Sequence, residues 1–194
     1  VKAGYDPSAA SKVWGQILAE DAATAAERKR AKRREGGMFA THPQSIERQA
    51  ELDKQAKALA SPSATALNAV EYRAALGPWW ADFIDDQIKL NDFGATELLL
   101  GQLADTGWTG ELLYARGELY RSRGKPEDFK AAAGFYRDGI AKGSAPDEAW
   151  RGLGVALLRS GDAPGGQAAL KTYLEKKPDA KDKAMMAMMA GVTS

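Results

Sequence analysis

A set of landmark residues recurs at an interval of 37 positions in the C-terminal half of the chain. The clearest unit is Asp147–Ala180, in which small and large residues occupy fixed positions: Trp150, Leu153, Gly154, Leu157, Gly166, Leu170, Tyr173 and Pro178. The stretch before it carries matching residues 37 positions earlier: Gly117, Tyr120, Ala132 and Tyr136 precede Gly154, Leu157, Ala169 and Tyr173 by that interval. Recurrence at this length indicates stacked copies of one supersecondary unit.

The spacing of small and large residues within this unit predicts a hairpin of two antiparallel helices. Gly154 and Gly166 let the helices approach closely, the large residues fill the space around that contact, and Pro178 ends the second helix. This register resembles that of the tetratricopeptide (TPR) repeat, so we predict an all-α fold of TPR-like helix hairpins. In the preceding copy, three extra residues fall in the turn Gly124–Asp128, and Arg116 replaces an expected apolar residue.

A third, degenerate copy is predicted upstream, which gives about three repeats. Its two helices would cover residues 70–90 and 93–104, and Trp80 stands where a small residue is expected. Terminal repeats often depart from the common pattern. Two matched pairs connect this copy to the next: Phe83 with Tyr120, and Leu99 with Tyr136.

Residues 180–190 are predicted to form a C-terminal capping helix with a soft apolar face. Packing against the core is the expected role of that face, and a groove for a partner is the alternative. Its side chains are Met185, Met186, Met188 and Met189.

Residues 1–62 are predicted to form a separate helical segment, with a boundary at Pro62 to the repeat region, residues 63–194. One helix should begin at Asp6-Pro7, with an apolar stripe of Ala10, Val13, Trp14, Ile17 and Leu18. A second should run from Pro43 to about Ala60, with its apolar side chains Ile46, Ala50 and Leu59 facing inward. Six cations lie within residues 28–34, and like charges repel, so we predict a mobile basic segment over about residues 27–40.

Few groups in the sequence suit catalysis. The chain has no cysteine, His42 is its only histidine, and it contains no HExxH motif. A catalytic zinc requires three protein ligands and an open position, which a single imidazole cannot supply. Adjacent carboxylates such as Asp85 and Asp86 point in different directions on a helix. We therefore expect no catalytic residue within this chain.

The charge pattern also limits the classes of partner. Lys and Arg number 27 against 26 Asp and Glu, so no bulk charge attracts nucleic acid, and no aromatic residues interleave with the basic run. No apolar run approaches the roughly 20 residues that span a bilayer. We expect neither a nucleic-acid partner nor a transmembrane segment.

Stacked helix hairpins offer a different functional surface, because the first helix of each unit lines a concave groove suited to peptides. We therefore predict protein or peptide segments as partners. The candidate groove residues are Trp79, Trp80, Glu111, Tyr114, Glu118, Arg121, Glu148, Arg151 and Val155. Packing between repeats is the alternative role of each of them.

Two N-terminal motifs carry a resemblance to a known family. The stretch Ala3–Ala10, with Trp14 one turn later, looks like the segment that follows the glutamate zinc ligand in HExxH metallopeptidases of the gluzincin type. Met38–Pro43, with Arg48 beyond it, is similar to that family's Thr-His-Pro motif near the end of the catalytic domain. In the BepA-like members a TPR domain follows, and Pro178–Asp182 resembles their C-terminal ends.

The resemblance implies that the chain belongs to a longer protein, a zinc metalloendopeptidase of the bacterial envelope. Such a protein would be periplasmic or associated with the outer membrane and would serve outer-membrane protein quality control. Residues 1–62 would be the helical tail of its catalytic domain, and the zinc ligands would precede Val1. The repeat region would then dock unfolded or outer-membrane proteins, or the parent's own catalytic domain.

The resemblance also gives His42 a candidate role, since the matching histidine of the family lies on a loop near the active site and can cap the zinc. His42 would be such a ligand in the intact parent only, and the fragment alone should hold no zinc and be inactive. The alternative is that His42 caps the helix that opens at Pro43. A free-standing TPR scaffold unrelated to proteolysis is the rival interpretation of the whole chain.

Overall fold

The computed structural model describes residues 4–29, 45–60 and 68–192, and it divides into two compact units, residues 1–87 and 88–194. Within those described ranges every regular element is a helix, which confirms the all-α prediction. The predicted boundary at Pro62 and nearly all of the predicted basic segment, about residues 27–40, lie outside the described residues. Both stay predictions.

The first unit holds three complete α-helices, a short 3-10 turn and most of a fourth helix. These elements are α1 (Ala9–Glu27), α2 (Ser45–Leu59), α3 (Ala69–Leu76), the turn Gly77–Trp79 and α4 (Trp80–Lys89). The second unit continues with α5 (Phe93–Leu103), α6 (Gly110–Arg123), α7 (Pro126–Ala141), α8 (Glu148–Arg159), α9 (Ala163–Lys176) and α10 (Lys183–Met189).

Helices α1 and α2 pack against each other but bury little apolar surface. The guanidinium of Arg48 lies 5.0 Å from the ring centroid of Trp14, yet Ser11 and Ala56 are the only buried residues of the two helices among those described. The predicted inward orientation of the α2 side chains is wrong, because Ile46, Ala50 and Leu59 are exposed. The α2 sequence is dominated by polar residues, so its few apolar side chains do not form a continuous core stripe.

The helix predicted over residues 70–90 is interrupted. A 3-10 turn at Gly77–Trp79 separates α3 from α4, and Pro78 lies inside it. Proline has no backbone N–H and its ring clashes with the preceding turn of an α-helix, so a continuous helix is not stable at this position.

In the second unit, antiparallel pairs of helices pack through glycines. A Cβ atom placed on Gly117 of α6 or on Gly152 of α8 would lie 2.6 Å from Cε1 of Tyr136. The ring of Tyr136, on α7, is fully buried and therefore lies against two helices that both carry a glycine at the contact. This one side chain joins α6, α7 and α8.

The contact between α8 and α9 is of the predicted kind. A Cβ on Gly154 would lie 2.5 Å from Cγ of Leu170 and 3.0 Å from the backbone oxygen of Gly166. Asp162 caps the start of α9 by accepting a hydrogen bond from the N–H of Gly165 at 3.0 Å. The two helices are therefore in backbone contact, which only residues without a side chain allow.

Helix α10 packs on α9 through one side of its short methionine-rich sequence. Met186 and Ala190 are buried with Leu170 and Tyr173. Met188, by contrast, is 74% exposed. Part of the methionine face therefore fills the core as expected, and the remainder faces outward.

Arg116 stands where the repeat pattern predicts an apolar residue, and its guanidinium lies among aromatic rings. Its guanidinium lies 4.5 Å from the ring centroids of both Trp108 and Phe135, and it pairs with the carboxylate of Glu97 on α5. A planar cation stacks on aromatic faces and can pair with a carboxylate at its edge. The position predicted to hold an apolar residue is thus filled by a cation among aromatic rings.

The turn between α6 and α7 is held by one buried carboxylate. Gly124 ends α6 with a left-handed φ of 72°, and Asp128 then accepts hydrogen bonds from Nε and Nη2 of Arg123 at 2.8 and 2.7 Å. Asp128 also accepts from the backbone N–H of Lys125 at 3.2 Å. The hydrogen bonds from Arg123 lower the pKa of Asp128 and outweigh the opposing effect of burial.

The first prediction tests the glycine contacts. We expect Gly154→Ala to destabilise the protein by about 1–3 kcal/mol, because the new methyl group overlaps Leu170. Gly134→Ala on α7 is the matched control, since its Cβ meets nothing within 4 Å and alanine favours the helix by up to about 1 kcal/mol. Urea unfolding of both variants measures the difference, and equal midpoints would contradict the contact.

The second prediction concerns pH. Because the folded pKa of Asp128 is depressed, its stabilisation is complete above the unfolded pKa of about 3.9 and is lost as the pH falls through the folded value. We expect Asp128→Asn to cost about 2 kcal/mol near neutral pH and progressively less in acid. Unfolding curves of the variant, compared with the exposed control Asp138→Asn, measure this trend; a difference independent of pH would refute it.

Candidate functional site

A connected row of charged and aromatic side chains runs across α6 and α8 and reaches the segment between α9 and α10. We call it the paired-arginine surface and define it by Glu118, Arg121, Tyr136, Arg151, Tyr173 and Asp182. Each of its two arginines is held by one carboxylate and accompanied by one tyrosine. All six residues lie in the second unit.

The first half of the surface is built on Glu118, which is buried on the inner side of α6. The hydroxyl of Tyr136 donates a hydrogen bond to its Oε1 at 2.6 Å, and Arg121, one helical turn away, forms an ion pair with its Oε2. Nε of Arg121 also donates to the Tyr136 hydroxyl at 3.2 Å. The three side chains therefore close a ring of hydrogen bonds that fixes the arginine.

Burial sets the protonation of this group. Burial, reinforced by the neighbouring Glu118 carboxylate, raises the pKa of Tyr136, so its hydroxyl keeps the proton that it donates. Burial alone would lower the pKa of Arg121, but the same carboxylate raises it overall. The arginine is thus a permanent cation although much of its side chain is covered.

The second half of the surface again combines an arginine, a tyrosine and a carboxylate, but here the carboxylate lies on a different segment from the arginine. Nη1 of Arg151 on α8 donates to Oδ2 of Asp182 at 3.1 Å, and the hydroxyl of Tyr173 donates to Oδ1 of the same residue at 3.0 Å. Burial opposes the charge of Arg151, yet the hydrogen bond to Asp182 raises its pKa. Asp182 precedes α10, so this group also ties α10 to α8.

The two halves are close enough to interact. The charge of Glu118 contributes to raising the pKa of Arg151, and so does Tyr114. The rings of Tyr114 and Tyr136 lie with their centroids 6.2 Å apart at 50°. Glu118 therefore acts electrostatically on the arginines of both halves.

Ion pairs extend the row at its edge. Lys177 pairs with Glu148 at 2.9 Å and Lys176 with Asp147 at 3.2 Å, both linking the end of α9 to the start of α8. Arg121 and Arg151 each keep 31% of the side chain exposed, whereas their carboxylate partners are more deeply covered. Within each arginine–carboxylate pair, the arginine is therefore the more exposed partner.

The predicted groove residues divide into three groups. Arg121, Arg151 and Glu148 are half-buried at the row just described, and Glu111 is exposed at the start of α6. Glu118 is buried within the row itself. Tyr114 is buried and Val155 packs against the core beside α10, so these two have the packing role that was the alternative.

The remaining two, Trp79 and Trp80, belong to the first unit, and the structure does not relate them to this surface. Trp79 is exposed and Trp80 is half-buried. Whether any of the nine predicted residues binds a peptide stays a prediction.

Sequence reasoning missed Asp182, Tyr136 and Tyr173 as parts of the site. The two tyrosines were assigned to the core by their spacing of 37, and both rings are indeed buried. The sequence signal for their role is that tyrosine, and not an apolar residue of similar volume, recurs at this position. A buried hydroxyl requires a polar partner, so the recurrence indicates a polar group nearby. Asp182 carried no comparable signal in the sequence.

Each carboxylate of this surface, Glu118 and Asp182, pairs with an arginine and accepts a hydrogen bond from a tyrosine hydroxyl. Among the described residues no group of three or more His, Asp or Glu side chains could hold a metal ion. His42 lies outside the described residues, so its predicted zinc-capping role stays a prediction. Within the described part of the chain, no helix is long and apolar enough to cross a membrane.

Comparison with known proteins gives no further assignment. No family model matches the chain, and neither the curated proteins nor the solved structures contain a match. The geometry of the site is therefore the basis for the function proposed below.

The third prediction tests the first arginine group. We expect Tyr136→Phe to cost about 1–3 kcal/mol, because it removes the proton donor from the buried Oε1 of Glu118 without changing the ring that packs on Gly117 and Gly152. The exposed Tyr72→Phe should stay within about 0.5 kcal/mol of the parent chain. Thermal and urea unfolding measure both; an equally small effect at both sites would show that the hydrogen bond does not stabilise the fold.

Proposed function

We propose that the chain is a protein-docking module whose paired-arginine surface binds extended segments of other proteins. The observation that carries this proposal is the rigid presentation of two permanent cations, Arg121 and Arg151, on neighbouring helices. Each arginine side chain is 31% exposed, and each guanidinium is paired with a carboxylate of the chain.

Rigid presentation matters because ordering a flexible side chain opposes binding. An arginine immobilised on association costs about 0.5–1.5 kcal/mol in lost rotamer freedom. In Arg121 and Arg151 that freedom is already restricted by Glu118 with Tyr136 and by Asp182, respectively. Their exposed edges can donate hydrogen bonds to the carboxylates or main-chain carbonyls of an incoming segment, in the planar geometry that guanidinium favours.

In this proposal the helix pairs of the second unit are TPR-like repeats, and α10 is their C-terminal cap. The contacts of Gly117, Gly154 and Gly166 with neighbouring helices support the repeat assignment. The burial of Met186 and Ala190 against α9 supports the cap. Repeat arrays of this kind bind peptides along the first helices of their units, and Arg121 and Arg151 lie on α6 and α8.

We further propose that the chain belongs to a BepA-like zinc metalloendopeptidase of the bacterial envelope, with residues 1–62 as the tail of its catalytic domain. The exposed apolar side chains of α1 and α2 support this part, because Val13, Ile17, Ile46 and Leu59 are not covered by the described residues. Exposed apolar side chains of this kind mark surfaces at which proteins pack against a further domain or partner. Zinc would then be held by residues outside this chain.

The fourth prediction tests the docking surface. We expect the whole chain to bind acidic members of an array of short unstructured peptides and Arg121→Gln/Arg151→Gln to lower the affinity about tenfold or more. Arg137→Gln on the exposed side of α7 is the matched control and should bind as the parent chain does. Fluorescence anisotropy with the best array peptide measures the dissociation constants. Loss of binding in the control, or none in the double variant, would sink the proposal.

The parentage has its own test in the coding sequence on the 5′ side of the Val1 codon. The proposal requires an HExxH motif there, followed by a distal glutamate. A start codon directly before Val1, with no such motif, would favour the free-standing scaffold and leave the docking proposal intact.

A further inference from the structure

The first unit presents an exposed face that the function proposed above does not use. Trp79 is 59% exposed and Phe83 is 47% exposed, although both are large apolar side chains. Trp79 ends the 3-10 turn that leads directly into α4, and Phe83 lies one turn into that helix, so a spacing of four residues places the two rings on one side. Single exposed apolar residues are common on protein surfaces, but two aromatic rings on one side form a patch.

The same side of the helix carries carboxylates. Asp82 and Asp86 fall at positions three and seven after Trp79 and are exposed, which places them beside the two rings. We define Trp79, Asp82, Phe83 and Asp86 as the aromatic–acidic face. From the start of α3 to the end of α4, residues 69–89, there are four acidic and two basic residues, so the surroundings of the face carry a net charge of −2.

The two sides of α4 differ in exposure, because the side chains opposite the rings are less exposed than the rings are. Ile84, on the opposite side of the helix, is 6% exposed, and Trp80 is half-buried. The helix therefore already has a buried side. The aromatic–acidic face is a second apolar surface, turned outward.

We propose that the aromatic–acidic face binds a basic segment of another protein, in which lysines or arginines are spaced with apolar residues along a helix. Cations are attracted both to carboxylates and to the faces of tryptophan and phenylalanine rings, so one basic side chain can satisfy both features of the face. The apolar residues of the segment would cover the rings. An acidic partner or an anionic membrane surface would instead be repelled by the charge around the face.

The test uses the whole chain and a synthetic helical peptide of leucine and lysine, with a peptide of leucine and glutamate in the same order as the matched probe. We expect the lysine peptide to bind, the glutamate peptide not to bind, and the affinity to fall as salt is added. Isothermal titration calorimetry measures both. Equal binding of the two peptides, or binding independent of salt, would overturn the proposal.

Two variants locate the binding on the face. Trp79→Ala should weaken binding of the lysine peptide about tenfold or more, as truncation of an anchoring tryptophan does. Asp82→Asn/Asp86→Asn should weaken it about threefold to tenfold and reduce its salt dependence. Asp138→Asn/Glu175→Gln removes two exposed carboxylates elsewhere and should have no effect.

Folding and self-association are controlled in the same experiment. Circular dichroism and a thermal melt identify a variant that fails to fold, and the second variant then decides the outcome. If Trp79→Ala instead abolishes dimers seen by sedimentation, the face binds a second copy of the chain and the basic-segment proposal is wrong. The docking prediction for acidic peptides stands apart, because Arg121 and Arg151 lie in the other unit.

Discussion

The ring of Tyr136 is the contact on which the second unit depends, because it joins three helices at once. A Cβ atom on either Gly117 or Gly152 would lie 2.6 Å from its Cε1 atom. Helices α6 and α8 can therefore pack this closely on α7 only because both carry a glycine at the contact. The Tyr136 hydroxyl extends past that contact and donates to Glu118 at 2.6 Å. A phenylalanine would pack the same helices but leave the carboxylate short of a donor. The tyrosine therefore links the packing of the helices to the placement of Arg121, and a binding surface arises from the same residue that closes the core.

How far the sequence could predict this structure is clearest at the glycines. The spacing of Gly154 and Gly166 predicted a close approach of two helices, and the backbone oxygen of Gly166 does lie 3.0 Å from a Cβ placed on Gly154. Such contacts are predictable because two helix backbones can come this close only where the residues at the contact have no side chain. Arg116 shows the limit, since its position called for an apolar residue and only the rings of Trp108 and Phe135, brought together by folding, make a cation suitable there. A pattern of residue types along the chain does not record such a three-dimensional environment.

The first unit was less predictable for a related reason. The sequence predicted the positions of α1 and α2 close to their observed bounds. It did not predict which side of each helix is buried. Ile46 and Leu59 were expected inside and are exposed, because an inward side chain requires a neighbour, and the described residues of this unit supply few. Periodicity in a sequence shows that a helix has an apolar side; it does not show whether the covering surface belongs to the same chain. Exposed apolar residues on α1, α2 and α4 are consistent with surfaces that other proteins or other parts of a longer protein cover.

The paired-arginine surface and the aromatic–acidic face use charge in different ways. On the paired-arginine surface every cation has a carboxylate behind it, so the net charge is small and the contribution of the protein is orientation. On the aromatic–acidic face the carboxylates stand beside apolar rings, so the contribution is attraction over a distance together with apolar area. Salt weakens binding to both surfaces, because an incoming charge meets partly exposed groups on each of them. The charge of the bound segment separates the two surfaces: the paired-arginine surface selects a segment with carboxylates, whereas the aromatic–acidic face selects one with cations and apolar side chains.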